Sequence, residues 1–132
     1  MGNLKDKLGQ IIVPIVTPFD KDSGEVNLKE AENLADFLVE KKYCDSIAVT
    51  GTTGEFNTMS VEERIAMYKV VHDTVSDRVP LVAGAGAASV TDAIKLCQEA
   101  EKIGYKVVMV VAPYYCKPSS EGIYKFFAAV AK

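Results

Sequence analysis

Residues 51 to 56, Gly-Thr-Thr-Gly-Glu-Phe, place two hydroxyls and a carboxylate on one short, glycine-flanked turn. Gly51 and Gly54 permit a tight turn and close approach of backbone to a ligand. Thr52 and Thr53 offer hydroxyls and N–H groups suited to an anionic group such as a carboxylate. The stretch is neither a G-x-x-x-x-G-K-[ST] phosphate loop nor a G-x-G-x-x-G dinucleotide fingerprint. Tyr114 and Tyr115, which follow the apolar run Val107 to Val111, form a second candidate. A phenol hydrogen-bonded to a neighbouring hydroxyl can relay protons. The plainer readings are a turn that only redirects the chain and aromatics that only cover a core. The chemical reading requires that the fold bring Thr52 and Tyr115 to the same end of one sheet.

The surrounding elements meet that requirement. Gln10 to Val16 reads as a buried strand, with Pro14 tolerable only at a bulge or strand end. Asn27 can cap a helix running to about Lys41, with Ala31, Leu34, Ala35 and Leu38 on one face. Ser46 to Thr50 is a second strand, and the turn at 51–56 leads to a helix from Ser60 to about Val75, opened by a Ser60/Glu63 capping box. Val79 to Gly84 is a third strand, and Ser89 caps a helix that stops at Gly104. Val107 to Val111 is a fourth strand, apolar throughout as expected of burial on both faces. Pro113 to Ser119 is a loop, and Ser120 to Ala131 a last helix. Strand and helix thus alternate four times with a period of roughly 30 residues, the pattern of parallel βαβ units. An open doubly wound sheet and part of a (β/α)₈ barrel both fit it. In either, both candidate stretches follow the C-terminal ends of strands, where such folds bind ligands.

Composition narrows the function classes. The 132 residues are 48% hydrophobic and 25% charged, enough for a single domain over residues 1–132. The net charge of −3, with both signs interspersed, gives no footprint for nucleic acid or an anionic membrane. No apolar run reaches a membrane span and residues 1–10 lack a secretory h-region, so a soluble, cytoplasmic protein acting on small molecules is expected. Cys44, Cys97 and Cys116 lack metal-site or disulfide-framework spacing. Cys97, on the apolar face of a helix pattern, is expected to serve packing, and His72, also in a helix pattern, to be structural or simply exposed.

Five stretches in order, PIVTPF (14–19), GTTGE (51–55), MSVEER (59–64), VAGAGA (82–87) and APYYCKPSSEGIYKFF (112–127), resemble the dihydrodipicolinate synthase/N-acetylneuraminate lyase family. The resemblance covers nearly the whole chain. It implies a (β/α)₈ TIM barrel, of which this chain supplies about four β/α units. It also implies a class I aldolase that holds pyruvate or another 2-keto acid as a Schiff base on a lysine, without a cofactor or metal. By position, Thr52 corresponds to the family's proton-relaying threonine and Thr53 to its carboxylate-binding neighbour, beside Gly51. Thr17 corresponds to a threonine near the floor of the pocket. Tyr115 corresponds to the tyrosine that family dimers insert into the adjacent subunit's site, so a homo-oligomer is implied. Imine formation and enamine protonation need proton transfers that hydroxyls can shuttle with little net charge.

The same resemblance puts the Schiff-base lysine on the sixth strand and a second catalytic tyrosine on the fifth, beyond Lys132. Lys106 precedes the fourth strand, Lys117 sits in a polar loop and Lys132 ends the sequence. None is set in the apolar or cationic surroundings that keep an imine-forming amine neutral. This chain alone is therefore expected to be inactive, as a fragment of a longer aldolase, a partner of a complementary half-barrel, or one of two copies forming a pseudo-barrel. Dihydrodipicolinate synthase, condensing pyruvate with aspartate semialdehyde, is the first expectation. Phe56, bulkier than the small polar residue common at that position in these synthases, keeps a 2-keto-3-deoxy sugar acid aldolase as the alternative. A non-catalytic half-barrel module is the reading from outside the enzyme class.

Overall fold

The alternating pattern folds into one parallel sheet with its helices packed on one side. The structure, a computed structural model, describes residues 3–132. Strands β1 (Ile12–Pro14), β2 (Ser46–Val49), β3 (Leu81–Gly84) and β4 (Val107–Met109) are parallel and lie in sequential order. Helices α2 (Leu28–Glu40), α3 (Val61–Val75) and α4 (Val90–Ile103) make the crossovers, and α5 (Ser120–Val130) follows β4. A short α1 (Leu4–Leu8), absent from the sequence reading, precedes β1.

Register assigns the two faces. Ile47, Val49, Leu81 and Ala83 join Ala31, Ala35, Met67, Val71, Leu96 and Phe126 of the helices in the main core. The alternate residues Pro14, Ala48, Val82 and Val107 pair across all four strands. There Ala48 and Val82 meet only Leu8 and Val107 in a small second cluster. A doubly wound sheet reverses its strand order at a switch point and covers both faces with helices. Sequential order with helices on one side is instead the winding of a (β/α)₈ barrel, here four of its units.

The edges depart from expectation. Both β1 and β4 read as buried strands, yet Ile12 is 44% exposed and Met109 48%, and Val16, Val108 and Val111 are exposed as well. Ladder pairing is also shorter than the apolar runs. Each edge strand has a neighbour on one side only, and the face that barrel closure would cover is open. Pro14 ends β1, so its missing N–H removes no bond from the ladder; the next N–H, that of Ile15, donates to Ala48 O at 3.0 Å.

Local signals behave as the sequence suggests. Asn27 caps α2, Ser89 caps α4, and both halves of the Ser60/Glu63 box are formed. Cys97 packs against the main core, and the His72 ring lies 6.1 Å from that of Tyr105. Arg78 ties the end of α3 to α2 through Asp36 at 2.7 Å and Glu40 at 2.9 Å. Among the described residues no helix is long and apolar enough to cross a membrane.

Candidate active site

The turn after β2 is built from backbone that most residues avoid. Thr50 leaves the strand at φ 51°, two single 3₁₀ turns follow at Thr52–Gly54 and Phe56–Thr58, and Glu55 between them sits at φ 54°. Tyr115, after β4, has φ 70°. Among the described residues the other two non-glycine residues with positive φ lie at helix C-termini: Lys42 follows the cap of α2, and Ser76 caps α3 with ψ −133°, outside the left-handed helical region. Three strained residues therefore gather on the C-terminal rim, each costing about 1–3 kcal/mol, and strain of that kind collects where function requires it. Thr50 is the plainest case, being β-branched.

Buried hydrogen bonds hold the rim. The Gly84 carbonyl, at the end of β3, accepts from Thr50 Oγ1 at 3.0 Å, from Tyr68 Oη at 2.7 Å and from Arg64 Nη2. Only glycine fits at position 84, because a Cβ there would lie 2.4 Å from Thr50 O. Gly54 is packed less tightly: a Cβ there would lie 3.1 Å from Thr17 Oγ1 and 3.2 Å from Ile15 O, and the Thr17 hydroxyl donates to Gly54 O at 2.7 Å. Burial pushes the phenols of Tyr68 and Tyr105 above their ordinary range, so both stay neutral donors. Tyr105 Oη donates to Tyr68 O at 2.9 Å.

Arg64 was not singled out by the sequence reading. It is 3% exposed, its Nη1 donates to Gly86 O at 2.9 Å, and its guanidinium carbon lies 5.0 Å from the centroid of the Phe56 ring. Among the described residues no carboxylate pairs with it, and its buried Nε has no partner. A signal for it existed: positions 64, 67, 68, 71 and 75 form the buried stripe of α3, so a cation stands in register with an apolar face. A buried, unpaired positive charge at a rim favours anions nearby.

Above this floor lies a cleft of about 260 Å³, with Thr50, Gly51, Thr52, Phe56, Gly84 and Met109 in its lining. Of the expected site residues, Gly51 and Thr52 line it. Thr53 shares the turn and is exposed, while Thr17 is buried beneath, anchoring the turn. Tyr115 stands on the same end of the sheet but is 102% exposed, its side chain free of its own chain. A larger hollow of about 1010 Å³ opens at the opposite end, beside Arg78 and Asp45. Arg78 is already paired, and the Asp45 carboxylate is occupied by the N–H groups of Gln10 and Ile11. The smaller cleft, where the Thr52 hydroxyl is left without a partner among the described residues, is the candidate site. Every lysine of the chain is exposed, and no described group of His, Cys, Asp or Glu could hold a metal.

Comparison with known proteins agrees with this architecture. The model of the dihydrodipicolinate synthetase family matches residues 7–132. The chain belongs to that family. A 4-hydroxy-tetrahydrodipicolinate synthase from Bacillus velezensis is 44% identical over 125 residues, covering 95% of this chain and 43% of that protein. Among solved structures, a dihydrodipicolinate synthase from Acinetobacter baumannii complexed with pyruvate superposes with a TM-score of 0.86 at 39% identity, over 94% of this chain and 42% of the other. An N-acetylneuraminate lyase from Mycoplasma synoviae superposes with a TM-score of 0.90 at 30% identity, over 96% and 43%. The chain thus spans less than half the length of these family members.

Proposed function

We propose that this chain supplies the carboxylate-binding and proton-relay face of a class I, pyruvate-dependent aldolase site, most specifically that of 4-hydroxy-tetrahydrodipicolinate synthase. The observation that carries the reading is that Thr52 and Tyr115, from separate β/α units, share the C-terminal rim of one parallel sheet. Gly51, Thr52 and Thr53 hold the carboxylate of a 2-keto acid. The buried Arg64 cation makes the rim favourable to that anion, and the Thr52 hydroxyl passes protons during imine formation. Tyr115, exposed on its own chain, joins the relay in the site of a neighbouring subunit. The Schiff-base amine comes from outside these 132 residues, a reading supported by the exposure of every lysine here. The acceptor is aspartate semialdehyde. Phe56 in the cleft lining, together with the likeness to a lyase, favours a 2-keto-3-deoxy sugar acid as the second reading.

Borohydride trapping with pyruvate, read by mass spectrometry, tests the proposal. The 132-residue chain alone takes no adduct, and the complete enzyme takes one pyruvyl group on a lysine outside these residues. An adduct on any lysine of this chain would overturn the division of labour. Turnover with aspartate semialdehyde, set against a panel of 2-keto-3-deoxy acids, then decides the acceptor.

A further inference from the structure

Tyr115 lacks support of its own. Its ring is free of the chain, and its backbone is the centre of a three-residue turn in which Cys116 N–H donates to Tyr114 O at 3.0 Å, at φ 70°. Tight turns of that hand are rare and strained for a residue with a side chain. The residue before it is anchored differently. The Tyr114 ring meets the Phe56 ring edge-on, with centroids 5.7 Å apart and planes at 83°. Phe56 in turn lies against the Arg64 guanidinium, which is pinned to the carbonyls of Gly84 and Gly86. A continuous strut, Arg64 to Phe56 to Tyr114, therefore runs from the buried floor of the rim across to the β4–α5 loop.

We propose that Arg64 and Phe56 are positioning residues that, through Tyr114, hold Tyr115 in its left-handed conformation and so fix where its phenol is presented. The inference rests on the relay role proposed above for Tyr115. Three features set the strut apart from ordinary packing. A core selected for stability alone would place an apolar side chain at position 64, since a buried cation without an acidic partner is costly. The cation–π contact is strongest for a desolvated guanidinium, as this one is. Tyr114 is itself 39% exposed, so its contact with Phe56 adds little to core burial while acting directly on the backbone next to Tyr115.

A double-mutant cycle in the complete enzyme tests this. Tyr115→Phe is expected to lower kcat by about 100-fold, the scale of a lost proton relay. Phe56→Leu is expected to lower kcat about tenfold with KM for pyruvate within about twofold, and Arg64→Met to lower kcat by a similar factor while raising that KM, because it also removes the cation that favours the substrate's carboxylate. In the Tyr115→Phe background the same substitutions change kcat by less than about twofold, because the group they position is already gone. Tyr114→Leu, which cuts the strut at its exposed end where folding depends on it least, is expected to repeat the non-additivity. Losses that multiply with Tyr115→Phe, or no loss from Phe56→Leu and Arg64→Met, would overturn the strut and leave the relay standing. An unchanged kcat in Tyr115→Phe itself would remove the relay, and the strut with it.

Discussion

The two ends of the sheet are built on opposite terms. At the C-terminal rim, Thr50, Glu55 and Tyr115 take positive φ, Arg64 is buried without an acid, and Thr52 and Thr53 keep exposed hydroxyls. At the N-terminal rim, Leu8 of α1 closes against Ala48, Val82 and Val107, and the Asp45 carboxylate accepts from Gln10 N at 2.7 Å and Ile11 N at 2.8 Å. Of the five non-glycine residues with positive φ among those described, three are at the first end, which also holds the unpaired charge, and Lys42 and Ser76 are at the second. In barrels of this kind the C-terminal face carries chemistry and the opposite face carries stability. The contrast makes a claim about substitutions: changes at one end should move turnover with little effect on folding, and changes at the other the reverse.

Thr52→Val is the sharpest test. It keeps the shape of the side chain and removes the hydroxyl, so turnover of the complete enzyme is expected to fall about 100-fold or more. Stability, followed by urea denaturation, should stay within about 0.5 kcal/mol, because Thr52 is exposed. A large loss of stability would show that the turn is held by this hydroxyl and would blur the division between the rims. Leu8→Ala is the mirror experiment. Leu8 is buried in the smaller cluster, and its truncation is expected to cost about 2 kcal/mol, at the low end for a core leucine. Turnover measured well below the melting temperature should not change.

How far the sequence anticipated this division depends on the range of each signal. The Ser60/Glu63 box was legible because it is closed within one turn: Ser60 N–H donates to Glu63 Oε2 at 2.7 Å and Glu63 N–H to Ser60 Oγ at 3.2 Å. The order of strands and helices was legible from periodicity. Burial of β1 and β4 was not, because an apolar run such as Val107 to Val111 records what a strand can bury and says nothing of what covers it. Helix α1 spans too few residues to show a period. Within the site, the glycine-flanked threonines announced themselves, whereas Arg64, following Glu62 and Glu63, was not singled out although it stands in register with the apolar stripe of α3. The positive φ of Tyr115 had no signal at all, since neither glycine nor asparagine marks the turn.

The smallest expected effect concerns Asp45 and isolates the quieter rim. Hydrogen bonds from the N–H groups of Ile11 and Gln10 hold its carboxyl below the ordinary carboxylate range. A group whose value is lower in the folded chain than in the unfolded one binds its proton less readily when folded. Its contribution to stability is therefore complete above the unfolded value, near 4, and is lost as pH falls through the lower folded value. Asp20, held by Ser23 and Asp22 N–H groups, and Glu62, paired with Lys95, are lowered too, so the acid limb of wild type alone does not report on one residue. The difference between wild type and Asp45→Asn does. Thermal melts of the two should be separated at pH 7 and converge below about pH 4, while the other acidic groups cancel in the comparison. Asp45 lies in an exposed position, so the separation is small. A gap that persists unchanged to pH 2 would mean that Asp45 acts through packing rather than charge, and the N-terminal rim would then be held by shape alone.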